Sequence, residues 1–522
     1  MKSTNTSKSI QRDASHAIDA EVPHSIFSKS QRRGVTLMIG VAMMFSPLSA
    51  NIYLPCIPLL QKDMKTSTQL INLTITAYII VQGVAPAFLG ELSDKLGRRP
   101  IYILAFGFYV AASIGLAVQD SYATLLSLRM LQSLGASATV AIGYGVVADM
   151  VTPAERGRML GPTMYRCCSD TDASYILKAT NLGPILGPVI GGPLAATAGW
   201  RWVFWLLTIL GSVFLLLILL FLPETCKTIV GNGSIPAQGW NRSWVSYLSG
   251  APTEKQSLDA EEQHAISEIT SPSRTKNFMA FIPNPWKSVR LLLEKDTSLV
   301  LSLSGMFYMA YYIVQASIPT SLSQIYHYSA AGIGLCYFAI GVGVAIGGYI
   351  NGKVMDHNYR STAQNYGLEI NKVAGDDLRA FPIEEARSRF AVIYILLHSV
   401  LLVGYGWLLH QKTHVAGPLI LQFCIGFIAT VIVQTFNTLL VDIHQDTPST
   451  AAAAGNIVRC GLAAGGVAVM QPLLRRLGYG FFFTVLGCVT GGAGLISVFI
   501  IRRQSMRWRI QRGDKKQEAS LE

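Results

Sequence analysis

Apolar stretches long enough to cross a lipid bilayer recur twelve times along the chain. A membrane-spanning helix needs about 20 consecutive, mainly apolar residues, and each stretch is close to that length. The twelve predicted spans cover residues 34–60, 70–92, 100–118, 122–149, 179–199, 201–222, 298–322, 329–351, 389–410, 415–441, 448–473 and 479–501. The runs are continuous and do not alternate between apolar and polar residues, which favours helices over strands. The pattern therefore predicts an all-α integral membrane protein.

A polar segment divides the spans into two groups of six. This segment, residues 223–296, contains Gly, Ser, Pro and mixed charges, as is typical of a flexible linker. The predicted organisation is a cytoplasmic tail, a six-helix bundle, a cytoplasmic linker, a second six-helix bundle and a cytoplasmic tail, over residues 1–33, 34–222, 223–296, 297–502 and 503–522. Near the end of the linker, Trp286–Lys295 fits either a short helix on the membrane surface or the start of the seventh span.

Composition agrees with a lipid environment, because 51% of the 522 residues are hydrophobic and only 14% are charged. The net charge of +12 would suit a nucleic-acid partner if the basic residues formed one patch. With both termini in the cytoplasm, however, 32 of the 42 Lys and Arg residues lie on the cytoplasmic side and six on the other. This bias is typical of membrane proteins. The sequence therefore predicts a lipid bilayer as the partner and no nucleic acid, although Arg475 and Arg476 depart from the rule.

The sequence carries no pattern typical of an enzyme or a metal site. The eight cysteines are scattered, apart from the adjacent pair Cys167 and Cys168, and form neither a disulfide framework nor a metal-ligand spacing. A catalytic nucleophile, a metal cluster and a phosphate-binding loop are also missing from the motifs. We therefore expect a non-enzymatic protein without a cofactor.

The loop after the second span carries the sequence GELSDKLGRRP at residues 90–100. Its glycines permit a tight turn, and Asp94 is placed to meet cations and the N-terminus of a helix. The eleventh span begins on the same side at Pro448, so we expect Asp94 to contact it and to close the cytoplasmic side. The predicted cytoplasmic gate consists of Gly90, Asp94, Gly97, Arg98 and Arg99. The corresponding loop of the second half, GYINGK at 348–353, has Gly352 in place of the aspartate.

Two further motifs lie inside the spans of the first half. The fourth span contains Arg129, followed by Gln132 and Gly135. A guanidinium inside a membrane helix is costly unless it faces a polar cavity or a partner, which makes Arg129 a functional candidate. The fifth span reads GPILGPVIGG at 183–192, with the motif residues Gly183, Gly187, Pro188, Gly191 and Gly192. Its prolines bend the helix, and its glycines predict a pliable contact with the opposite half.

Together with ANIYLPCIP at 50–58 and LPET at 222–225, these motifs resemble the major facilitator superfamily. The resemblance is to the fungal branch of drug:proton antiporters with twelve helices, which includes quinidine-resistance proteins and organic-acid exporters. It implies two six-helix bundles that expose a central site alternately to each side of the membrane. It also implies a location in the plasma membrane, exchange of protons for substrate, and a role of Arg129 in proton transfer. We expect a monomer, although the sequence does not determine the oligomeric state. The motif at 183–192 is the one that the resemblance associates with export.

Few charged residues fall in the middle of the predicted spans. They are Arg129 and Arg459, with His398 as a further candidate, and no Asp or Glu lies near the middle of a span. A cationic cavity should favour anionic or neutral polar substrates over quaternary cations. The predicted residues for proton coupling and the substrate cavity are Arg129, Arg459, Asn51, Tyr53, Gln315, Gln434 and Asn437, with Tyr308, Tyr312 and Asn456 as further wall candidates.

The leading functional prediction is proton-coupled export of a small organic compound, either a drug, a toxin or a secondary metabolite. Export of an organic acid of the di- or tricarboxylate type is the alternative within the same class, and the sequence does not separate the two. A transporter-like sensor without net flux is an alternative of another class. The short tails argue against the sensor, because such proteins often carry long cytoplasmic extensions.

The segment YRCCSDTDASYILK at 165–178 interrupts the approach to the fifth span. Its removal would leave the smoother sequence RMLGPTMATNLGPILGP, which suggests a retained intron. A longer cytoplasmic loop is the alternative, because residues 179–198 suffice to cross a bilayer.

Overall fold

The computed structural model describes the chain over residues 29–150, 174–231, 239–242, 290–367, 381–444 and 448–512. Twelve long helices occupy these residues. The first ten are α1 (Lys29–Ile52), α2 (Thr68–Leu96), α3 (Arg98–Val118), α4 (Tyr122–Met150), α5 (Ser174–Thr197), α6 (Trp200–Phe221), α7 (Lys295–Ile325), α8 (Ala330–Asn365), α9 (Ala391–His410) and α10 (Ala416–Ile443). The last two, α11 (448–477) and α12 (479–500), form the stretch Pro448–Ile500, which breaks at Gly478 with φ 71° and ψ 170°.

Length and hydropathy agree with membrane crossing. Ten described stretches are long and apolar enough to span a bilayer, and one of them, Thr450–Arg512, contains both α11 and α12. The remaining helix, α5, brings the number within the described residues to twelve. Short elements extend or connect the long helices. They are Leu54–Cys56 and Ile57–Asp63 after α1, Lys227–Val230, Gly239–Asn241, Ile383–Ser388 before α9, and a π-helical turn Ile501–Ser505 after α12.

Several helix ends have an identifiable cause in the sequence. The hydroxyl of Ser67 accepts a hydrogen bond from the backbone N–H of Leu70 at the start of α2, and Ser329 caps α8 through Gly332 in the same way. Gly97 separates α2 from α3 with φ 108°, in the region that favours glycine.

The helix boundaries differ from the expected ones in several places. The first helix begins at Lys29, and α8 continues to Asn365, well past residue 351. The helix Ile383–Ser388 was not expected at all. Residues 286–289 of the expected surface helix lie outside the described residues, and residues 290–294 make one turn in which Leu293 N donates to Arg290 O.

The two halves use the same helix packing. In the first half α1 packs on α5, α2 on α4, α3 on α6, and α1 on α4, and in the second half α7 packs on α11, α8 on α10, α9 on α12, and α7 on α10. The pairs correspond one to one when six is added to each helix number. Contacts between the halves are made mainly by α5 with α8 and by α2 with α11. The result is two similar six-helix bundles that face each other.

Because each long helix crosses the molecule once, the loops alternate between two faces. We call the face that holds the start of α1, the segment between α6 and α7, and the end of α12 the linker face, and the opposite one the far face. The hydrogen bonds between α2 and α11 run from the far face to mid-membrane. Gln69 Nε2 donates to Ala468 O (2.9 Å), Thr76 Oγ1 to Ala464 O (3.5 Å), and Asn456 Nδ2 to Gln82 O (3.0 Å). We call these three bonds the far-face seam.

Candidate substrate pathway and gate

Arg129 lies inside the first bundle and is fully buried. Its guanidinium carbon is 4.3 Å from the ring centroid of Tyr53 on one side and 4.3 Å from that of Tyr78 on the other. Nη1 donates to Gln132 Oε1 (2.7 Å) and to Ser49 O (3.3 Å). Among the described residues no carboxylate forms an ion pair with Arg129. Two aromatic faces and two acceptors therefore hold a buried cation, and such a stack is worth about 2 kcal/mol or more per ring when desolvated.

The other first-half candidates surround this cluster. Tyr53 is buried, and its hydroxyl is 2.8 Å from Thr74 Oγ1. Asn51 is also buried, with Nδ2 donating to Pro47 O (2.7 Å). These contacts place Arg129, Tyr53 and Asn51 in the interior of the first bundle, near the far face. Their assigned roles in proton coupling stay predictions.

The equivalent place in the second bundle is neutral. In the first bundle Ser49 of α1 bonds the hydroxyl of Tyr109 on α3 at 2.8 Å. In the second, Ser317 of α7 lies 3.5 Å from the hydroxyl of Tyr405 on α9, and Gln422 of α10 donates to the same hydroxyl at 3.4 Å. Gln422 stands seven residues into α10, much as Arg129 stands eight residues into α4. The repeat is therefore preserved, but the buried cation belongs to the first bundle.

Arg459 differs from Arg129 in being only half-buried. It stands about halfway along α11, where its guanidinium carbon is 5.1 Å from the ring centroid of Tyr308 on α7. Nη2 donates to Asn456 Oδ1 (3.1 Å), whereas the buried Nε has no hydrogen-bond partner. Arg459 also interacts electrostatically with Tyr144 of α4, a side chain of the opposite bundle that is exposed. The guanidinium therefore occupies the space between the two bundles at mid-membrane.

A group of tyrosines lines this space on α7. The ring centroids of Tyr308 and Tyr312 are 4.9 Å apart, those of Tyr311 and Tyr312 6.0 Å, and all three side chains are half-buried. Gln315 is buried above them and donates to the hydroxyl of Tyr311 at 2.8 Å. We call Arg459, Tyr308, Tyr311, Tyr312 and Tyr144 the central cluster. Tyr311 and Tyr144 were not among the sequence candidates, although the run YMAYY at 308–312 was a usable signal for Tyr311.

Gln434 and Asn437 lie on α10 and are half-buried. Asn437 Oδ1 accepts a hydrogen bond from Ser304 of α7 at 3.1 Å. A Cβ at Gly348 of α8 would lie 3.1 Å from Gln434 Nε2. Both amides therefore face neighbouring helices of the second bundle.

His398 is buried within the second bundle. Its ring is perpendicular to that of Phe307, with centroids 5.1 Å apart. Neither ring nitrogen has a hydrogen-bond partner among the described residues. The position of His398 favours packing over substrate contact.

The gate motif is held together by a carboxylate from outside it. Glu224, just after α6, accepts from the backbone N–H of Arg98 (2.9 Å) and of Arg99 (3.1 Å), the first two residues of α3. A Cβ at Gly97 would lie 2.6 Å from Glu224 Oε2, so glycine is needed here for space as well as for its φ. Glu224 thus caps α3 and favours its N-terminus electrostatically.

Arg98 and Arg99 connect this cap to other helices. Arg98 Nε donates to Asp149 Oδ2 at the end of α4 (2.9 Å), and its Nη1 pairs with Asp94 and donates to Ser93 Oγ (2.7 Å). Arg99 donates to the carbonyl groups of Trp240 (2.6 Å) and Leu219 (2.8 Å). Gly90 packs beside α4, where a Cβ would lie 3.4 Å from Ala141 Cβ. Sequence reasoning found the motif but missed the roles of Glu224 and Asp149.

The described residues do not test the expected contact between Asp94 and the start of α11. The side chain of Asp94 is 57% exposed and pairs with Arg98, and its backbone carbonyl lies 3.5 Å from Cys226 Sγ. Residues 445–447, just before α11, lie outside the described part. The contact therefore stays a prediction.

A second ion pair repeats the Arg98–Asp149 pair in the other bundle. Arg387 Nε donates to Asp442 Oδ2, near the end of α10, at 2.9 Å. Its arginine precedes α9 as Arg98 begins α3. The segment GYINGK gave no indication of this pair, because the arginine lies more than 30 residues further along the chain.

The glycines of the fifth-span motif face two different helices. At Gly183 and Gly187 a Cβ would lie 2.7 Å from Pro47 Cγ and 2.8 Å from Ile52 N, so these glycines, like Gly191, pack against α1 of the same bundle. At Gly192 a Cβ would lie 2.5 Å from Ala330 O and 2.8 Å from Gly334 Cα of α8. The carbonyl of Pro188 also faces Gly334. The expected contact with the opposite half is therefore made by Gly192 and Pro188, whereas the other glycines let α1 and α5 approach closely.

Cysteine and metal chemistry play no visible part in the described residues. The six described cysteines are free. No group of three or more His, Cys, Asp or Glu side chains within the described ranges is arranged to hold a metal ion.

Comparison with known proteins agrees with the architecture. Residues 39–469 match the family model described as Major Facilitator Superfamily. The chain is 35% identical over 495 residues to MFS-type transporter phiD of Fungal sp. (strain ATCC 74256), covering 95% of this chain and 72% of the relative. It is 35% identical over 482 residues to Citrate exporter 1 of Aspergillus niger, covering 90% and 85%.

A solved structure shows the same fold. The crystal structure of the human organic anion transporter MFSD10 (TETRAN) superposes with a TM-score of 0.54, 16% identity, and coverage of 91% of this chain and 100% of that one. The chain is thus a multi-pass membrane transporter and not an enzyme, and it belongs to the Major Facilitator Superfamily.

Proposed function

We propose that this transporter exports a small organic compound, such as a secondary metabolite, a toxin or a drug, in exchange for protons. The substrate enters from the linker face, binds at the central cluster, and leaves at the far face when the bundles rock. The observation that carries the proposal is the far-face seam together with the central cluster. The seam joins the bundles on one side of a half-buried polar site, and Asp94 is exposed on the other.

The orientation of the chain in the membrane is proposed from the charges of the loops. The excess of Lys and Arg on the linker face supports a cytoplasmic location for this face and for both termini. The plasma membrane is the location that we propose, and a monomer is the proposed functional unit. The printed name Citrate exporter 1 of one relative supports export as the direction.

The gate residues are proposed to act at the linker face. The side chain of Asp94 is 57% exposed and pairs with Arg98 at the start of α3, which also pairs with Asp149 at the end of α4. When the linker face closes, Asp94 meets the N-terminus of α11, whose dipole favours a negative charge. Gly90, Gly97 and Arg99 keep the turn and the cap of α3 in shape for this contact.

Arg129 is proposed to support proton coupling through its fixed charge. Guanidinium groups stay protonated in proteins, so the group acts on its surroundings and does not itself release the proton. Its position beside Tyr78 connects it to the interface between the bundles, because Tyr78 interacts electrostatically with Tyr312 of α7. Protonation of a group near the interface would then change the electrostatic environment of Arg129.

Export of an organic acid is the second candidate. It is favoured by Arg459, a half-buried cation at the centre of the molecule, and by the name Citrate exporter 1. A sensor without net flux is separated from both candidates by a measurement of transport.

The decisive experiment is efflux from proteoliposomes that contain the purified full chain, with a proton gradient imposed and then collapsed. Metabolites that accumulate inside deletion cells, compared with wild-type cells, supply the substrates to load. Proton-dependent efflux supports the proposal, and flux without any response to the gradient contradicts the coupling. Asp94→Asn should reduce flux, whereas Asp120→Asn, an exposed residue at the far face whose side chain pairs with Arg201, is the matched control.

A further inference from the structure

The described carboxylates of the long helices all lie toward the linker face. Asp149, Asp296 and Asp442 stand at or near the linker-face ends of α4, α7 and α10, and Glu91 and Asp94 near that of α2. Asp356 is 26 residues beyond the far-face end of α8, or about 39 Å along its axis. Arg129 and Arg459 are thus the charged side chains that remain at depth in the described helices. The interior field favours a negative ligand.

The two arginines are not equivalent as ligand sites. Arg129 has both faces of its guanidinium covered by rings at 4.3 Å and is fully buried, so no surface is left for a ligand. Arg459 has one ring at 5.1 Å, is half-buried, and keeps a buried Nε without a partner. A guanidinium can donate five hydrogen bonds in a fork that matches a carboxylate. Arg459 is therefore accessible to a ligand between the bundles, whereas Arg129, whose Nε is also without a partner, is enclosed.

The surroundings of Arg459 suit a flat ligand. Tyr308 lies against its guanidinium, and Tyr312 is 4.9 Å from Tyr308 between ring centroids. The half-buried faces of these rings offer apolar area and offset or edge contacts to another ring. A compact tricarboxylate would use the charge of Arg459 but would leave these faces without a partner.

We infer that the substrate is an organic anion with a planar unsaturated ring, whose carboxylate pairs with Arg459 while its ring packs against Tyr308 and Tyr312. This inference rests on the proposed transport function for the route to the site, and it names the class of compound that the site selects. Arg459 is then the residue that recognises charge, and Tyr308 the residue that recognises the ring.

Three matched probes test the inference with the purified full chain in detergent. They are 1-naphthoate, its neutral amide 1-naphthamide, and the saturated analogue decahydronaphthoate, with binding followed by thermal stabilisation. We expect 1-naphthoate to bind about 10- to 100-fold more tightly than the amide, the range for a hydrogen bond to a charged group. We expect a preference of about 2- to 10-fold over the saturated analogue, the range for an aromatic pair.

Variants assign the two preferences to their residues. Arg459→Gln should abolish the preference for the carboxylate over the amide, and Arg459→Lys should retain part of it. Tyr308→Leu should abolish only the preference for 1-naphthoate over the saturated analogue and should leave the preference for the carboxylate over the amide unchanged. Arg476→Gln, an exposed arginine near the end of α11, should change neither.

Several results would overturn the inference. They are equal binding of 1-naphthoate and 1-naphthamide to the unaltered chain, tighter binding of the cation tetraphenylphosphonium, or an undiminished carboxylate preference in Arg459→Gln. If Arg459→Gln does not fold, the comparison on the unaltered chain decides.

Transport measurements separate this inference from the proposed function. If 1-naphthoate binds in an Arg459-dependent way but a proton gradient drives no flux, the proposed function fails and the site assignment stands. If proton-driven export of a neutral or cationic compound is found and 1-naphthoate neither binds nor competes, the site assignment fails and the proposed function stands.

Discussion

The contact between α5 and α8 offers the sharpest test of how the far face closes. Gly192 of α5 meets Gly334 of α8 there, and Gly192→Ala adds one methyl group to that contact. The new Cβ would lie 2.5 Å from Ala330 O and 2.8 Å from Gly334 Cα. Both neighbours are backbone atoms, so neither can rotate away as a side chain would.

The size of the effect follows from these distances. Ordinary contacts of a Cβ begin at about 3.4 Å, so the two helices have to separate by about 0.9 Å at Ala330 O and about 0.6 Å at Gly334 Cα. Forcing an extra methyl group into a packed site costs about 1–3 kcal/mol. The cost applies to the state in which the far face is closed and is released when it opens. The ratio of closed to open molecules should therefore fall about 5- to 150-fold.

Cross-linking across the far-face seam measures this ratio. Gln69→Cys and Ala468→Cys introduce a pair on α2 and α11 where a side chain now bonds a backbone carbonyl at 2.9 Å. The eight native cysteines are first replaced by Ala or Ser. Addition of Gly192→Ala should lower the cross-linked fraction formed at short times and should slow export.

Gly465→Ala is the matched control, because a Cβ at Gly465 of α11 meets nothing within 4 Å. It should leave both cross-linking and export unchanged. If Gly192→Ala is monodisperse and cross-links as fast as the parent, then the α5–α8 contact does not hold the far face closed, and the reasoning from the glycine pair is wrong.

Three further predictions concern single residues. Glu224→Ala removes the carboxylate that accepts backbone hydrogen bonds at the start of α3, and it should lower the free energy of unfolding by about 2 kcal/mol or more. The loss should appear as a lower Tm in detergent, and Glu224→Gln should lose less than Glu224→Ala. Asp442→Asn leaves the guanidinium of Arg387 without its charged partner, and we expect the free energy of unfolding to fall by about 1–3 kcal/mol. In a double-mutant cycle followed by thermal unfolding, Asp442→Asn combined with Arg387→Gln should be less destabilised than the sum of the two single variants. Arg129→Lys keeps the charge but loses the flat stack between two rings, so export should fall at least tenfold at a normal level of folded protein, and unchanged export would contradict a role of the stack.

The sequence was sufficient to predict the helices because their length and apolar character follow from the thickness of the bilayer. The division into two halves could also be predicted, because the polar segment that separates the two groups of spans is a local feature of the chain. The boundary of α8 was not predictable in this way. Its last 14 residues lie beyond the apolar run, and their polar sequence is compatible with a loop.

Long-range partners account for what the sequence left out. Glu224 lies 126 residues from Arg98, and nothing in LPET indicates which helix its carboxylate caps. The same holds for the two faces of α5, where a regular glycine spacing predicts close packing without naming the helix that approaches. The sequence also grouped Arg129 with Arg459, although the structure buries one between two tyrosine rings and places the other between the bundles. Most of the segment 165–178, which was interpreted as a retained intron, lies outside the described part of the chain. Its last five residues, from Ser174, form the start of α5.

The break at Gly478 restricts how the second bundle can move. A single residue connects α11 to α12, so no loop is present that would let the two helices move independently of each other. At the opposite end, Arg502 just beyond α12 donates through Nε to Ser388 Oγ at 2.9 Å, in the short helix ahead of α9. If α11 tilts during the transport cycle, α12 and α9 should therefore tilt with it. These two peripheral helices would then move as one body with α11, which faces the first bundle.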